Sequence, residues 1–270
     1  MEIIELQKRF KRLFKRIIIK ISRKHPKIII RDGIRWEVDL NEEIDKSIYL
    51  YGYFEKGTYE ALRKFIKEGM VVFDIGANIG AHTLHMSKLV GENGKVYAFE
   101  PMIFVQKKLN RNISLNNVKN VVIESFALND AVETRGVNFR SSWLSGGGVN
   151  GQSQIIQDVK FTTLDNYSRL NKINRIDLIK IDVDGYDYRV LSGSREILQT
   201  HSPIIIFELC DYTLKKQGDS AEKLYNFLTT IGYSIFDESN NDKYSDYFDI
   251  MKSGIDLSKN SINLIAIKNI

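Results

Sequence analysis

From Val71 onward the chain alternates short apolar runs with longer amphipathic stretches. The apolar runs predict strands at 71–75, 95–100, 120–125, 177–183, 203–208, 233–237 and 262–268. The amphipathic stretches predict helices at 79–90, 102–116, 188–199 and 219–231. Several strands are almost wholly apolar and close on an acid, so helices must cover both faces of their sheet. The pattern predicts the α/β class, with a largely parallel sheet between two layers of helices.

The interval 131–164 interrupts this alternation. Two short runs, at 136–140 and 158–164, predict a small added strand pair. The stretch 141–153 between them is rich in glycine and serine, which predicts a surface loop.

The part of the chain before Val71 has a less regular pattern. Residues 27–48 predict short strands with a tight turn at Asp32-Gly33. Residues 58–69 predict a helix that has Thr58 as its N-cap and Gly69 as its C-terminal stop.

Residues 5–24 predict an amphipathic helix, with apolar side chains at spacings of three and four and basic side chains between them. Ten Lys and Arg against two Glu give residues 1–27 a charge of +8, which leaves −3 for the rest of a chain whose net charge is +5. Two interpretations stay open: contact with an anionic membrane or a partner, or packing of the apolar stripe on the protein. Because the rest of the chain is acidic, we expect no nucleic-acid partner.

These patterns divide the 270 residues into three parts. A basic helix occupies 1–26, strands and a helix that pack on the core occupy 27–69, and the main domain occupies 70–270. The single cysteine cannot form an intrachain disulfide, and no apolar run has the length of a membrane span. We expect a cytoplasmic location, on the inner face of a membrane if the basic helix binds lipid.

The sequence DIGANIG closes the first strand of the main domain and predicts a cofactor seat. The dinucleotide fingerprint G-x-G-x-x-G fails, because Asn78 and Ala81 stand where its second and third glycines belong. The lysine-containing phosphate loop of nucleotide triphosphatases is absent as well. An acid before the first glycine, Asp74, would repel a pyrophosphate and suits a ligand with an ammonium group or a cationic sulfur.

The next strand ends in Glu100, whose carboxylate can accept both hydroxyls of a ribose. A ribose beside a cationic amino-acid group describes S-adenosylmethionine. The sequence therefore predicts this cofactor, at the ends of the first two strands of the main domain.

Four blocks resemble the FkbM-type S-adenosylmethionine-dependent methyltransferases, over roughly residues 48–210. They are YGYFEKGTYEALRKFIKEGMVVFDIGANIGAHTL, KVYAFEP, TTLDNY and IDLIKIDVDGYDYRVLSGS. The resemblance implies a Rossmann-like seven-stranded methyltransferase sheet with helices on both faces and one antiparallel strand, supplied by SINLIAIK. The chain departs from the family at Asp184 and Asp187, where glutamate is usual, and at His82, where an aromatic residue is common.

The pocket is expected to follow the strand ends. The residues expected to hold the methionine end of the cofactor are Asp74, Gly76, Asn78, Gly80 and His82. Those expected at the ribose and adenine are Glu100, Pro101, Ser125, Phe126 and Ala127. Asp182 could also hold the cofactor, or it could act on the acceptor. The resemblance adds Glu55, as a residue that closes over the cofactor.

An alcohol acceptor has to lose a proton, so a base should stand where the methyl group points. The candidates are Asp182 first, then Asp184 and Glu208, since all three follow the ends of the fourth and fifth strands. The same acids could bind a divalent cation or only position the reactants, although we expect no metal. The acceptor expected is a hydroxyl on a sugar, glycan or small metabolite. Two alternatives stay open: a non-catalytic module that docks through its basic helix, and an N-methyltransferase acting on RNA or protein.

Overall fold

The computed structural model describes residues 26–140, 154–238, 242–252 and 254–269. The helix predicted at 5–24 and the loop predicted at 141–153 lie outside these ranges. The strands are β1 (Lys27–Arg31), β2 (Ile34–Val38), β3 (Val71–Ile75), β4 (Lys95–Phe99), β5 (Val121–Glu124), β6 (Ala127–Leu128), β7 (Glu133–Arg140), β8 (Gln154–Thr162), β9 (Leu178–Ile181), β10 (Ile204–Leu209), β11 (Tyr233–Asp237), β12 (Lys243–Tyr244) and β13 (Ile262–Lys268). The helices are α1 (Glu43–Tyr51), α2 (Lys56–Phe65), α3 (Thr83–Val90), α4 (Ile103–Leu115), α5 (Leu164–Leu170), α6 (Asp187–Ser192), α7 (Arg195–Thr200), α8 (Asp211–Lys216), α9 (Ala221–Thr230) and α10 (Tyr247–Lys252).

The central sheet has the strand order β12-β11-β13-β10-β9-β3-β4-β5. Pairing is parallel from β10 through β5, and β13 is antiparallel to both β10 and β11. All seven predicted strands, including the predicted antiparallel one, are therefore confirmed. The two-residue β12 adds an eighth strand at the edge, paired with β11.

Alternate residues of the central strands supply two separate cores. Phe73 on β3 and Ile179 on β9 pack with α5, α6, α7 and α9 on one face of the sheet. Val72 and Leu178, one residue away on the same strands, pack with α2 and α3 on the other face. Since every residue of β9 is buried, this strand is the centre of the molecule.

The β1–β2 hairpin turns at Asp32 (φ 48°) and Gly33 (φ 73°), as predicted. Its fully buried Trp36 packs with Leu84 of α3 and Val105 of α4. The strand prediction for residues 27–48 is wrong at its end, because α1 begins at Glu43. Ile44 and Ile48 lie four residues apart and face the same apolar cluster, which is a helical rather than an extended spacing.

The helix predicted at 58–69 runs from Lys56 to Phe65, so Thr58 is not its N-cap. The Thr58 hydroxyl instead donates to Glu238 Oε2 at 3.1 Å, a partner 180 residues away that local spacing cannot reveal. Gly69 has φ 80° but lies beyond the helix, in the turn before β3.

Two other helix boundaries differ from the prediction. The helix predicted from residue 79 begins at Thr83, because the cofactor-type turn continues through Gly80 (φ 88°). The helix predicted at 188–199 is divided into α6 and α7. The carboxylate of Asp165 accepts the backbone N–H groups of Glu196 and Ile197 at 3.0 and 2.9 Å, which starts the second helix separately.

The predicted strand pair is present as β7 and β8, which pair antiparallel. The short β6 joins them in parallel with β8, so the added unit is a three-stranded sheet with the order β6-β8-β7. Within the described ranges, no helix combines the length and the apolar character needed to cross a bilayer.

Candidate functional site

A cavity of about 570 Å³ opens at the carboxyl ends of β3, β4, β9 and β10. This volume lies in the range of sites for cofactors and small molecules. The predicted residues that line it are Glu55, Gly76, Asn78, His82, Glu100, Pro101, Phe126, Ala127, Asp182, Asp184 and Glu208. The predicted residues outside its lining are Asp74, Gly80 and Ser125.

The turn after β3 forms one wall of the cavity. Gly76 and Ala77 both donate their backbone N–H groups to the Phe99 carbonyl of β4, at 3.0 and 2.9 Å. Gly76 has φ 81°, and a Cβ added there would lie 1.9 Å from the carbonyl oxygen of Asp182. Only glycine allows this turn to approach the end of β9 so closely.

Glu100 is 3% exposed and joins the ends of β3 and β4. Its two carboxylate oxygens accept the N–H groups of Asn78 at 3.0 Å and Met102 at 2.9 Å. Burial raises the pKa of Glu100 to about 7, although both hydrogen bonds oppose this rise. Each oxygen keeps acceptor capacity, so the ionised carboxylate can receive two further hydroxyls.

Asp74 is fully buried beneath the turn. Its Oδ2 accepts the Thr83 hydroxyl at 2.5 Å, and its Oδ1 lies 3.7 Å from Lys180 Nζ. From below the cavity floor, the Asp74 carboxylate therefore holds both the start of α3 and the buried ammonium group of Lys180.

Lys180 is a cavity residue that the sequence analysis did not select. Its side chain is 4% exposed, and Nζ lies 3.4 Å from Asp182 Oδ2. Burial alone would lower its pKa, but the charges of Asp182, Asp74 and Glu55 outweigh burial and raise it. A lysine inside an apolar strand was the available signal, because a buried ammonium group requires partners.

Three candidate bases line the cavity together: Asp182, Asp184 and Glu208. Burial raises the pKa of Glu208, and the charges of Asp182, Glu55 and Asp184 raise it further. The Asp184 side chain is exposed at the mouth, yet crowding by protein atoms and the charge of Asp182 raise its pKa. Glu208 and Asp184 are therefore more basic than ordinary carboxylates.

Asp187, the last acid of the segment IDLIKIDVDGYDYRVLSGS, does not line the cavity. It is 2% exposed, and its Oδ2 accepts the Gly185 N–H at 3.2 Å. Burial, followed by the charges of Asp182 and Glu208, raises the pKa of Asp187 well above its usual value. Its position indicates that it stabilises the loop after β9.

Glu55 and His82 meet at the opposite wall. Glu55 Oε2 lies 3.4 Å from His82 Nε2, and the side chains are 29% and 5% exposed. Burial would raise the pKa of Glu55, but the hydrogen bond and charge of His82 and the charge of Lys180 lower it overall. Glu55 precedes α2 with φ 44°, a backbone conformation uncommon outside glycine.

An apolar wall completes the cavity. Phe126 and Ala127 belong to it as predicted, and the three-stranded sheet adds Val137, Val159 and Phe161. The strand pair was predicted from the sequence, but its part in the site was not. An aromatic and aliphatic wall of this kind suits the face of a purine ring.

The donor set fits S-adenosylmethionine. Glu100 offers acceptors for ribose hydroxyls, the apolar wall suits adenine, and the acidic side chains suit a cation. Within the described residues, no group of three or more His, Cys, Asp or Glu side chains is arranged to hold a metal ion. The strand order, the turn and this cavity define a class I S-adenosylmethionine-dependent methyltransferase.

The family model of the methyltransferase FkbM domain matches residues 74–235. The chain belongs to this family, and its cofactor is S-adenosylmethionine. It is 25% identical over 173 residues to the hexuronic acid methyltransferase AglP of Haloferax volcanii, which covers 64% of this chain and 69% of that one.

Two solved structures of low identity are similar to this chain. A methyltransferase FkbM from Methylobacillus flagellatus KT matches with 12% identity and a TM-score of 0.43, over 82% of this chain and 52% of that one. The chain thus spans about half the length of that protein. A putative methyltransferase from Streptococcus mutans, SMU.1697c in complex with SAH, matches with 12% identity and a TM-score of 0.44, over 78% of this chain and 96% of that one.

The raised pKa of Glu100 predicts a pH-dependent affinity for the cofactor. The ionised carboxylate accepts two ribose hydroxyls and the acid accepts fewer, so binding should favour the ionised form. As pH falls below about 7, the Kd for S-adenosylmethionine should rise, approaching tenfold per pH unit. Calorimetry across this range, in buffers of different ionisation enthalpy, should detect proton release on binding.

The matched control is Glu100→Gln, which cannot titrate. It should bind the cofactor more weakly at neutral pH and should lose most of the pH dependence. A wild-type Kd that stays constant from pH 8 to about pH 5.5 would contradict the assignment.

Proposed function

We propose that this protein transfers the methyl group of S-adenosylmethionine to a hydroxyl of a sugar, glycan or small metabolite. One observation carries the proposal: Asp182, Asp184 and Glu208 line the same cavity as Gly76 and Glu100. Candidate bases and the cofactor seat therefore share one enclosure, which is what proton removal beside a methyl donor requires.

When bound, S-adenosylmethionine supplies an electrophilic methyl group on a cationic sulfur. Glu100 would hold the ribose, and the wall that includes Phe126 and Phe161 would hold the adenine. Asn78 and Gly76 would receive the methionine end, with His82 and Glu55 closing that side. Asp74 would act from below by fixing the start of α3.

The chain's own contribution to the chemistry is proton removal from the acceptor hydroxyl. Asp182 is the first candidate, because its side chain lines the cavity, is 33% exposed and lies 3.4 Å from Lys180 Nζ. The raised pKa values of Asp184 and Glu208 make these carboxylates better proton acceptors and keep them as the alternatives.

The charge of the cavity favours a neutral acceptor. Its lining carries Glu55, Glu100, Asp182, Asp184 and Glu208 against the single ammonium group of Lys180. A carboxylate acceptor needs no base and would be repelled by this set. The name of the relative, a hexuronic acid methyltransferase, supports a sugar as the class of acceptor. A hexuronic acid is itself anionic, so the acids of this cavity favour a neutral sugar that reacts through a hydroxyl.

A matched acceptor panel tests the proposal. Hexoses, hexuronates and hexosamines of the same ring configuration, free and as glycosides, are incubated with cofactor carrying a ¹³C methyl group. The expected product is an alkali-stable methyl ether, located by NMR. An alkali-labile methyl ester or an N-methyl product, formed with no ether, would overturn the proposal.

A further inference from the structure

Lys180 lies at the junction between the cofactor seat and the candidate base. It stands on β9 directly opposite Asp74 of β3, its register partner in the parallel pair. Its Nζ lies 3.7 Å from Asp74 Oδ1 and 3.4 Å from Asp182 Oδ2. One ammonium group thus bridges a fully buried acid and an acid that reaches the cavity.

The bridge is anchored at its far end. Asp74 Oδ2 accepts the hydroxyl of Thr83, which is fully buried at the start of α3. The series Thr83, Asp74, Lys180 and Asp182 therefore links α3, β3, β9 and the loop after β9. Since three of its four members are buried, few alternative conformations are open to the fourth.

We propose that Lys180 is a positioning residue, which holds the Asp182 carboxylate aimed at the acceptor. The inference rests on the proposed function, because it assigns a purpose to the base named there. The inference adds to the proposed function a residue that stays protonated and so does not itself remove the proton of the acceptor.

The charges around Lys180 keep its amine protonated, so Lys180 cannot itself act as the base. Asp74 faces it from β3, Asp182 from the end of its own strand, and Glu55 from the segment before α2; together they keep it protonated. Its charge in turn lowers the pKa values of Glu55, Glu100 and Asp184. Removing the charge should make the cavity acids harder to ionise.

Lys180→Met tests the inference in the full-length protein, with the acceptor identified by the panel. We expect kcat to fall about 10- to 100-fold, as for a misplaced reacting group. At a pH well above 7, where Glu100 is ionised, the KM for the acceptor and the calorimetric Kd for S-adenosylmethionine should change less than about threefold, because Lys180 is given no binding role. The acid limb of the kcat profile should move to higher pH, because the pKa values of Glu55, Glu100 and Asp184 rise when the charge of Lys180 is removed.

Two further variants separate this role from a purely structural one. Lys88→Met removes an exposed ammonium group outside the cavity and should leave kcat and its pH profile unchanged. The double variant Asp74→Asn, Lys180→Met removes the buried pair together and leaves no unpaired buried carboxylate. It should unfold at a higher temperature than Lys180→Met alone, yet show the same loss of kcat.

The results that would overturn the inference are distinct from failure of the proposed function. If wild type methylates a hydroxyl and a folded Lys180→Met or double variant matches its kcat and pH profile, Lys180 does not position the base. A double variant that recovers wild-type kcat also overturns the inference, because the loss in Lys180→Met then came from instability. If wild type forms no methyl ether, the proposed function fails, and the inference that rests on it fails with it.

Discussion

Asp182→Asn is expected to lower kcat about 10²- to 10⁴-fold while the protein still binds S-adenosylmethionine. Asparagine keeps the shape of the side chain and can still accept a hydrogen bond from Lys180, but it cannot take up a proton from the acceptor. Single-turnover methyl transfer and calorimetry, measured on the same preparation, separate the chemical step from cofactor binding.

Asp184→Asn and Glu208→Gln are the matched controls, because both side chains line the same cavity and carry the same charge. Each should reduce kcat less than Asp182→Asn does. Activity of Asp182→Asn within about threefold of wild type, together with a large loss in one control, would move the role of base to that residue.

Gly76→Ala is expected to abolish measurable cofactor binding and to destabilise the fold. Its Cβ would lie 1.9 Å from the Asp182 carbonyl oxygen, so either the turn or the end of β9 has to move. The positive φ of 81° adds strain of about 1–2 kcal/mol for any residue with a side chain. Thermal unfolding and calorimetry with S-adenosylmethionine would measure both effects.

Gly69→Ala separates strain from collision. Gly69 has nearly the same backbone angle, φ 80°, but a Cβ there meets no atom within 4 Å. It should lower stability by about 1–2 kcal/mol and leave the Kd for the cofactor unchanged. If Gly76→Ala and Gly69→Ala have equal unfolding temperatures and equal Kd values for the cofactor, the close approach of the backbone at Gly76 is not required for stability or binding.

Much of the fold was predictable because its signals are local. Buried parallel strands are continuous apolar runs, and acids at their ends converge on one edge of the sheet. The parallel strands of the main sheet, the turn at Gly76 and the cavity position of Glu100 all follow from this rule.

The features that escaped prediction depend on partners far away in sequence. Thr58 has the sequence position of an N-cap but donates to Glu238, and α7 starts separately because Asp165 caps it from α5. Asp74 was expected to face the ligand, whereas Thr83 and Lys180 surround it below the floor. No spacing within one segment encodes such contacts.

The wall formed by the three-stranded sheet was missed for a different reason. Val137, Val159 and Phe161 show an ordinary strand pattern, and only the position of the sheet beside the segment after β4, where Gln157 donates to the Pro101 carbonyl, gives them a part in the site. The membrane or partner role of residues 5–24 and the three-part division of the chain stay predictions.

The backbone contact between Gly76 and Asp182 has a consequence for redesign. It couples the cofactor half of the cavity to the base, so substitutions at this contact should change the rate of methyl transfer to every acceptor equally. Other side chains of the lining, including Ile44, Tyr186 and Gln217, lie on separate segments of the chain. Libraries that diversify these three positions should change acceptor preference while leaving turnover with a common donor intact, so the acceptor range can change without loss of the cofactor site.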